Sequence, residues 1–191
     1  ILYDMEVKGI KVDTQHLKET EVSLQKEMDA CAKEINKLAG RPINPGSTQQ
    51  IGELLFGEAK EGNYGFDPIE ETPTGRPKVD EKILSKLKKK IDPQHEATKI
   101  IELVIQYKKA SKLKGTYATG LLKNVDKQGF IHTNYMPCTK AGRLSSNGPN
   151  LQNIPGGSKD THNIRGAFIA DDENCVLIGV DYSQLEWRVM A

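Results

Sequence analysis

Hydrophobic positions in the first part of the chain recur with the spacing of helices. After the extended stretch "GIKVD", Asp13 or Thr14 can cap a helix that continues to about Leu38, where Gly40 and Pro42 follow. Its apolar residues are three, four or seven positions apart and form one seam: Leu17, Leu24, Met28, Cys31, Ile35 and Leu38. Such a seam predicts a long antiparallel partner helix.

Three further helices are predicted before residue 118. "STQQIGELLFG" is typical of a short helix, because Ser47 and Gln50 have capping-box spacing. Residues 58–77 are rich in glycine, proline and acids and predict a loop, whereas "VDEKILSKLKKK" predicts a short helix with a basic end. The last helix, from Glu96 to Tyr117, has an apolar side and a lysine-rich side, and it is the predicted partner of the first long helix.

The pattern changes near Gln128. "GFIHTNYMP" alternates as a strand does, "GAFIA" predicts a short strand, and "CVLIGVD" is an apolar run of strand length that ends at Asp181. Between them, residues 140–158 are rich in glycine, serine and asparagine and predict a loop. We therefore expect an α+β fold, in which a helical part at residues 1–127 precedes the first strands of a mixed sheet at residues 128–191.

Composition narrows the class of protein. The apolar runs are too short to cross a membrane and no secretory signal is visible, which predicts a soluble cytoplasmic protein without a membrane partner. The 3 cysteines are widely spaced, which argues against a disulfide framework and against a CxxC metal site.

The net charge of +1 hides a strong segregation of charge. Residues 82–127 carry 12 Lys/Arg against 4 Asp/Glu, a net charge of +8, whereas the segments before and after carry −6 and −1. Such segregation is typical of an element that binds a polyanion such as nucleic acid. A lysine run taken alone favours instead a solvated helix face.

Two segments concentrate the groups that do chemistry. "TKAGRLSSNGPNLQNIP", residues 139–155, surrounds one arginine with amides, hydroxyls and glycines that can present hydrogen bonds to a ligand, although its composition also fits an ordinary loop. "DYSQLEWRVMA" places Asp181 at the end of a predicted strand, where open sheets bind their ligands. Asp181 can instead serve only as a helix N-cap.

In this order the two segments resemble the family A DNA polymerases, the bacterial DNA polymerase I type. The family patterns are close to Thr-x-Thr-Gly-Arg-Leu-Ser-Ser-x-x-Pro-Asn-Leu-Gln-Asn-Ile-Pro and Asp-Tyr-Ser-Gln-Ile-Glu-Leu-Arg-Val-Leu-Ala. "LYDMEVKGIKVD", "INPGSTQQIGELLFG", "TPTGRPKVDEKIL" and "YKKASKLKGTY" resemble further segments of the same polymerase domain. The resemblance implies a helical thumb in residues 1–127 and the first strands of an incomplete mixed palm sheet in residues 128–191.

The resemblance implies template-directed addition of deoxynucleotides to a primer 3′ end by two-magnesium phosphoryl transfer. Asp181 matches the first catalytic aspartate, which holds Mg²⁺, and the carbonyl of Tyr182 would be a further oxygen ligand. Glu186 matches the steric gate that favours deoxynucleotides, or else it pairs with Arg188 or a lysine. Arg188 itself matches a structural or DNA-positioning residue.

The resemblance also implies contacts with DNA. Arg143 matches the arginine that reads the minor groove near the primer end, where acceptors are common to all base pairs. Further positions that match or suggest DNA contacts are Asn150, Gln152, Asn153, Gln184 and Arg165. The residues in the helix that would track duplex phosphates are Lys108, Lys109, Ser111, Lys112, Lys114 and Thr116. Ala141 departs from the family's threonine beside Arg143, and Trp187 departs from its leucine.

Primer-template DNA and an incoming dNTP are the implied partners. The family's fingers and second catalytic aspartate have no counterpart in these 191 residues. We therefore expect that the chain does not polymerise alone, and that a C-terminal polymerase portion completes it, on the remaining chain or on a partner subunit. The alternative is a non-catalytic duplex-DNA-binding module derived from a thumb, but the presence of Asp181 and Glu186 favours the polymerase.

Overall fold

A computed structural model describes residues 1–59, 62–137, 139, 142–157 and 160–190, except for the side chain of Glu186. The α-helices are α1 (Leu2–Lys8), α2 (Thr14–Ala39), α3 (Thr48–Phe56), α4 (Glu81–Lys90), α5 (Glu96–Lys112), α6 (Thr119–Leu122) and α7 (Leu185–Met190). The strands are β1 (Ile10–Lys11), β2 (Phe130–Ile131), β3 (Asn134–Met136) and β4 (Ser145–Asn147). This combination confirms the predicted α+β class. None of the described helices is both long and apolar enough to span a membrane.

The strands form two small antiparallel sheets. β1 pairs with β2, with Ile10 opposite Ile131, and β3 pairs with β4, with Tyr135 opposite Ser146. The predicted mixed sheet is therefore not formed by the described residues. Because β1 pairs with β2, the first 17 residues group with residues 121–191 in one compact unit, and residues 18–120 form the other. The compact units therefore divide the chain after residues 17 and 120, whereas the sequence pattern placed a single boundary after residue 127.

The predicted pairing of two long helices is confirmed. Asp13 begins α2, since its Oδ1 accepts hydrogen bonds from the backbone N–H groups of Gln15 and His16 at 2.9 and 3.0 Å. Polar pairs with the later helices run in opposite order along α2: Glu34 with Lys99, Glu27 with Gln106, and Gln25 with Lys114. This order makes α2 and α5 antiparallel, and the buried Leu24 packs against Ala110 and Ala118.

The two short helices begin at capping residues, of which Ser47 was predicted and Asp80 was not. Ser47 Oγ accepts a hydrogen bond from Gln50 N at 3.3 Å at the start of α3, and Asp80 Oδ1 accepts one from Ile83 N at 2.9 Å at the start of α4. The core of the helical unit is completed by fully buried side chains from α2 to α5: Ile35, Ile51, Leu54, Leu55, Leu84, Ile100, Ile101 and Val104.

The last predicted helix changes its geometry before it ends. It is α-helical only as far as Lys112, and a π-helical segment, Leu113–Ala118, joins it to α6. The low helix propensity of Gly115 weakens the α-helical preference of this segment.

Two of the predicted strands are wrong. The first two residues of "GAFIA" belong to a 3-10 helix, Ile164–Ala167. Of the remaining three, only Phe168 forms a β-bridge, with Val12. Residues 175–181 form no strand, and their apolar side chains are exposed, with Ile178 at 80% and Val180 at 85%. An apolar run becomes a buried strand only when neighbouring strands pair with it, and no described residue does so here. Conversely, β4 lies within the predicted loop, and "GFIHTNYMP" is divided into β2 and β3.

None of the residues of helix α1 is buried, and polar contacts of Glu6 join the helix to the strands. His132 Nδ1 lies 2.8 Å from Glu6 O, and His132 Nε2 lies 3.2 Å from Asp126 Oδ2. Both partners are acceptors, so only the protonated imidazole can donate to both at once. Hydrogen bonding to the Glu6 carbonyl and to Asp126 raises the pKa of His132.

Truncation of the helical core tests the α2 seam. We expect Leu24→Ala, at a fully buried site, to lower the free energy of unfolding by about 2–5 kcal/mol, because it removes buried methyl groups and leaves a cavity. The matched control is Val22→Ala on the same helix, where the side chain is 54% exposed, and the change should be about 1 kcal/mol or less. Urea unfolding of both variants measures the difference; similar values would contradict the assigned packing.

The attachment of α1 predicts a pH-dependent stability. Because the pKa of folded His132 is raised from 6.5, the stabilisation is fully present below the ordinary pKa and is lost as pH rises through the raised value. The difference in Tm between wild type and His132→Gln should therefore be larger at about pH 5.5 than at about pH 8.5. A difference that is constant across this range would contradict a protonated His132 between two acceptors.

Candidate nucleic-acid interface

The connection between β3 and β4 presents Arg143. Thr139 Oγ1 donates to Arg143 O at 2.8 Å and accepts from Arg143 N at 3.1 Å. Gly142 has φ 71°, a left-handed conformation that glycine adopts at no steric cost. The backbone of Arg143 is thus held at both polar groups, while the residue itself is exposed. Ala141, the predicted departure from the family pattern, lies outside the described residues.

The segment after β4 carries three more of the predicted residues: Asn150, Gln152 and Asn153, all of them exposed. Ser146, in β4, is 3% exposed and holds this segment, since its Oγ accepts from Leu151 N at 2.9 Å and from Gln152 N at 3.3 Å. The structure therefore joins Arg143, Asn150, Gln152 and Asn153 in one hairpin and its following loop. We call Thr139 and residues 142–153 the reading hairpin, after the predicted role of Arg143.

A second buried hydroxyl, that of Thr133, contacts the backbone at the end of β4 and just after it. Thr133 is 5% exposed, and its Oγ1 lies 2.9 Å from Asn147 O and 2.7 Å from Pro149 O. Sequence reasoning missed Thr133 and Ser146. Ser146 lies in the hydroxyl-rich segment 139–155, but that composition does not distinguish it from its neighbours, and the roles of both residues depend on partners that only folding brings close.

Arg165 lies outside the reading hairpin. Its backbone N–H donates to Asp160 Oδ2 at 2.8 Å, and its guanidinium lies against Gly156, where an added Cβ would be 2.9 Å from Arg165 Cζ. The absence of a side chain at Gly156 therefore permits this approach. Arg165 also lines a pocket of about 610 Å³ together with Tyr135 and Leu151.

Asp181 and Tyr182 are both exposed. Helix α7 begins at Leu185, four residues after Asp181, so Asp181 is not its N-cap. The Asp181 carboxylate and the Tyr182 carbonyl are oxygen donors of the kind that Mg²⁺ prefers. The described residues contain no group of three or more His, Cys, Asp or Glu that could hold a metal ion. Within the described part of the chain, Asp181 and Tyr182 thus supply only part of a coordination sphere.

The start of α7 is held by Arg188. Its Nε donates to Ser183 O at 2.8 Å, and its backbone N–H donates to Gln184 O at 3.1 Å. Gln184 is exposed and has φ 55°, a left-handed conformation at the entry to the helix. The predicted steric-gate role of Glu186 concerns a side chain that lies outside the described part of the structure.

Two of the predicted phosphate-contacting lysines in α5 are engaged within the protein. Lys108 is half-buried, and its Nζ donates to Val79 O. Burial lowers the pKa of Lys108, although the nearby Asp80 opposes the shift. Lys109 Nζ lies 3.0 Å from Glu81 Oε1, and this ion pair is more than half exposed.

The remaining predicted residues of this helix differ in their exposure. Lys114 is half-buried and donates to Gln25 Oε1 at 2.6 Å. Ser111 is also half-buried, whereas Lys112 and Thr116 are exposed. The exposed members of the predicted set are therefore Lys109, Lys112 and Thr116.

A cleft of about 950 Å³ in the helical unit adds basic residues that sequence reasoning did not select. It is lined by α3, by residues 72–81 and by Lys108, Lys109 and Lys112 of α5. Arg76 and Lys78 also line it, and Lys78 pairs with Glu70 at 3.3 Å. The sequence signal for these two cleft residues was the pair of basic residues in "TGRPK", Arg76 and Lys78.

The chain is similar in sequence to one protein family over most of its length. The family model for DNA polymerase family A matches residues 14–191. The chain is 37% identical over 193 residues to DNA polymerase I of Geobacillus stearothermophilus, covering 100% of this chain and 20% of that protein. It is 38% identical over 194 residues to the thermostable DNA polymerase I of Thermus filiformis, covering 100% and 22%. The chain thus spans about a fifth of the length of these relatives.

A solved structure agrees with the sequence matches. The POL domain of Pol1 from M. smegmatis, in complex with DNA primer-template and dNTP, has a TM-score of 0.79 and 31% sequence identity to this chain. The match covers 99% of this chain and 31% of the solved chain. The similarity therefore extends over both compact units.

The different environments of Lys108 and Lys112 predict different responses to duplex DNA. Replacing the exposed Lys112 with glutamine should weaken binding and reduce the slope of log K against log salt by about 0.9, as expected for one lost phosphate contact. Lys108→Gln should lower Tm with little change of that slope, because Lys108 is bonded to Val79. Fluorescence anisotropy at several salt concentrations measures both; equal changes of slope would contradict the distinction.

Proposed function

The chain belongs to DNA polymerase family A, and from this premise we propose that it forms the thumb and the first part of the palm of a DNA-directed DNA polymerase. The observation that carries the proposal is the reading hairpin, which holds Arg143, Asn150, Gln152 and Asn153 in one exposed segment on a backbone fixed by buried hydroxyls. The reaction is template-directed addition of deoxynucleotides to a primer 3′ end.

The reading hairpin suits contacts in the minor groove. A guanidinium only donates hydrogen bonds, and every base pair presents acceptors in that groove, N3 of purines and O2 of pyrimidines. Arg143 would therefore bind a correctly paired primer end whatever its sequence. Asn150, Gln152 and Asn153 would add contacts from the same segment, and Gln184 and Arg165 would contact DNA from their own positions.

The helical unit would hold the duplex through its phosphates. We propose Lys112, Ser111 and Thr116 as direct contacts, because Lys112 and Thr116 are exposed and all three lie near one end of α5. Lys109 would exchange its exposed pairing with Glu81 for a phosphate, whereas Lys108 and Lys114 would chiefly hold the surface in place. The charge of +8 on residues 82–127 supports this role.

The chemical step is assigned to the segment before and within α7. The Asp181 carboxylate, with the Tyr182 carbonyl, would hold Mg²⁺, and the bound ion would stabilise charge during phosphoryl transfer. Glu186 would exclude the 2′-hydroxyl of ribonucleotides. Arg188 would act through its hydrogen bond to Ser183, which fixes the turn between Asp181 and α7.

We propose that fingers and the rest of the palm come from the remaining part of a longer chain or from a partner subunit. The chain spans about a fifth of its relatives, and Val176, Ile178 and Val180 are 77–85% exposed. Strands from the remaining palm would cover this apolar run and shield it from water. The alternative is a non-catalytic duplex-DNA-binding module, for which the reading hairpin and Lys112 would suffice.

Primer extension separates the two functions. We expect no synthesis from the pure chain, and Mg²⁺-dependent dNTP incorporation once a separately produced C-terminal portion of the Geobacillus stearothermophilus polymerase is added. Asp181→Ala should lower incorporation on the order of a thousandfold, since it removes a metal ligand. The control is Glu173→Gln, an exposed acid of the same region, which should leave incorporation unchanged.

Each result has a distinct meaning. DNA binding without incorporation in any reconstituted mixture would favour the binding module. Robust synthesis by the pure chain would contradict the need for a second portion. An Asp181→Ala variant as active as Glu173→Gln would overturn the role of Asp181.

A further inference from the structure

Ser146 is a buried polar residue whose hydroxyl holds the backbone of the reading hairpin and also contacts the side chain of Asn150. We propose that Ser146 is a positioning residue that fixes Asn150 as a hydrogen-bond donor to acceptors in the minor groove at the primer end. The inference rests on the proposed function of the reading hairpin.

The Ser146 hydroxyl uses its whole hydrogen-bonding capacity on the segment that follows β4. It accepts from Leu151 N at 2.9 Å and from Gln152 N at 3.3 Å, and it donates to Asn150 Oδ1 at 3.3 Å. A hydroxyl has one donor and two acceptor positions, and all three are filled. Since Ser146 is 3% exposed, water cannot readily replace these bonds when the hydroxyl is removed.

The hydrogen bond from Ser146 also bears on the orientation of the Asn150 side-chain amide. Its Oδ1 accepts from Ser146 Oγ at 3.3 Å and from Gln152 N at 3.0 Å. The amide oxygen is therefore turned towards the protein, and Nδ2, which only donates, is the group that Asn150 can offer to DNA. An amide rotated by half a turn would present an acceptor instead.

This orientation matches the minor groove. Purine N3 and pyrimidine O2 are acceptors, so a donor gains a hydrogen bond there and an acceptor does not. Without Ser146, Asn150 Oδ1 keeps only the hydrogen bond from Gln152 N, and the N–H group of Leu151 loses its hydroxyl partner, so the amide is held by one contact instead of two. The contact with the groove would then weaken although Asn150 itself is unchanged.

The test is a binding comparison in which one groove acceptor is removed. The full 191-residue chain is titrated by fluorescence anisotropy with primer-template duplexes, each with a single 3-deazaadenine in place of adenine near the primer end, which removes N3. We expect wild type to bind at least one substituted duplex about tenfold more weakly, the effect of one hydrogen bond. In Ser146→Ala this ratio should fall to about twofold or less. The ratio does not depend on the fraction of folded protein.

Thr133→Val is the matched control. It removes another buried hydroxyl of the same region, but one whose bonds go to the carbonyls of Asn147 and Pro149. We expect a lower Tm and a ratio like that of wild type. If Ser146→Ala does not fold, Ser146→Cys provides the same comparison, because a thiol is similar in shape and a weaker hydrogen-bonding group.

The outcomes are distinguishable. A Ser146→Ala ratio equal to that of wild type would overturn the positioning role, and so would a Thr133→Val ratio that falls equally far. Wild-type protein that binds no primer-template DNA would instead overturn the proposed function, and the inference would fall with it.

Discussion

Irregular backbone needs partners for its N–H and C=O groups, and the supply of those partners by buried hydroxyls is the constraint on which the candidate interface depends. The segment that follows β4 lies outside the helices and strands, so its backbone N–H and C=O groups do not find their partners in a helix or a sheet. Ser146 bonds the N–H groups of Leu151 and Gln152, and Thr133 bonds the carbonyls of Asn147 and Pro149. Exposed polar side chains can then be presented from a backbone that is held in place.

In the helical unit, some of the basic side chains also stabilise the fold. Cationic and polar side chains of α5 and the π-helical segment bond to α2, as in the pairs Lys99–Glu34 and Lys114–Gln25, and so join the two long helices. The same stretch of sequence supplies the positive charge that a duplex would meet. Some lysines of the basic segment thus form hydrogen bonds or ion pairs within the protein, whereas others, such as Lys112, are exposed to solvent.

The apolar run at residues 175–181 shows the limit of a local pattern. Its composition is that of a buried strand, but a strand is stabilised by the hydrogen bonds and side chains of its neighbours. The described residues do not supply them, and Val180 remains 85% exposed. The proposed completion of the palm by further strands accounts for both the composition and the exposure.

Much of the helical fold was determined locally. The seam of α2 and the caps at Asp13 and Ser47 depend on residues within one or two turns, so the pattern of the sequence predicted them. The two motifs were likewise readable as sequence, and they led to the family. The roles of Arg143 and Asp181 within it remain proposals.

Tertiary structure decided what depends on distant partners. The pairing of β1 with β2, the strand β4 inside a predicted loop, and the bond from Lys108 to Val79 each join residues that are not neighbours in sequence. Ser146 belongs to the same class, although its partners lie only four to six positions away, because the turn after β4 must close before they meet. A sequence pattern records which groups are present, but burial and hydrogen-bond geometry arise only when the chain is folded.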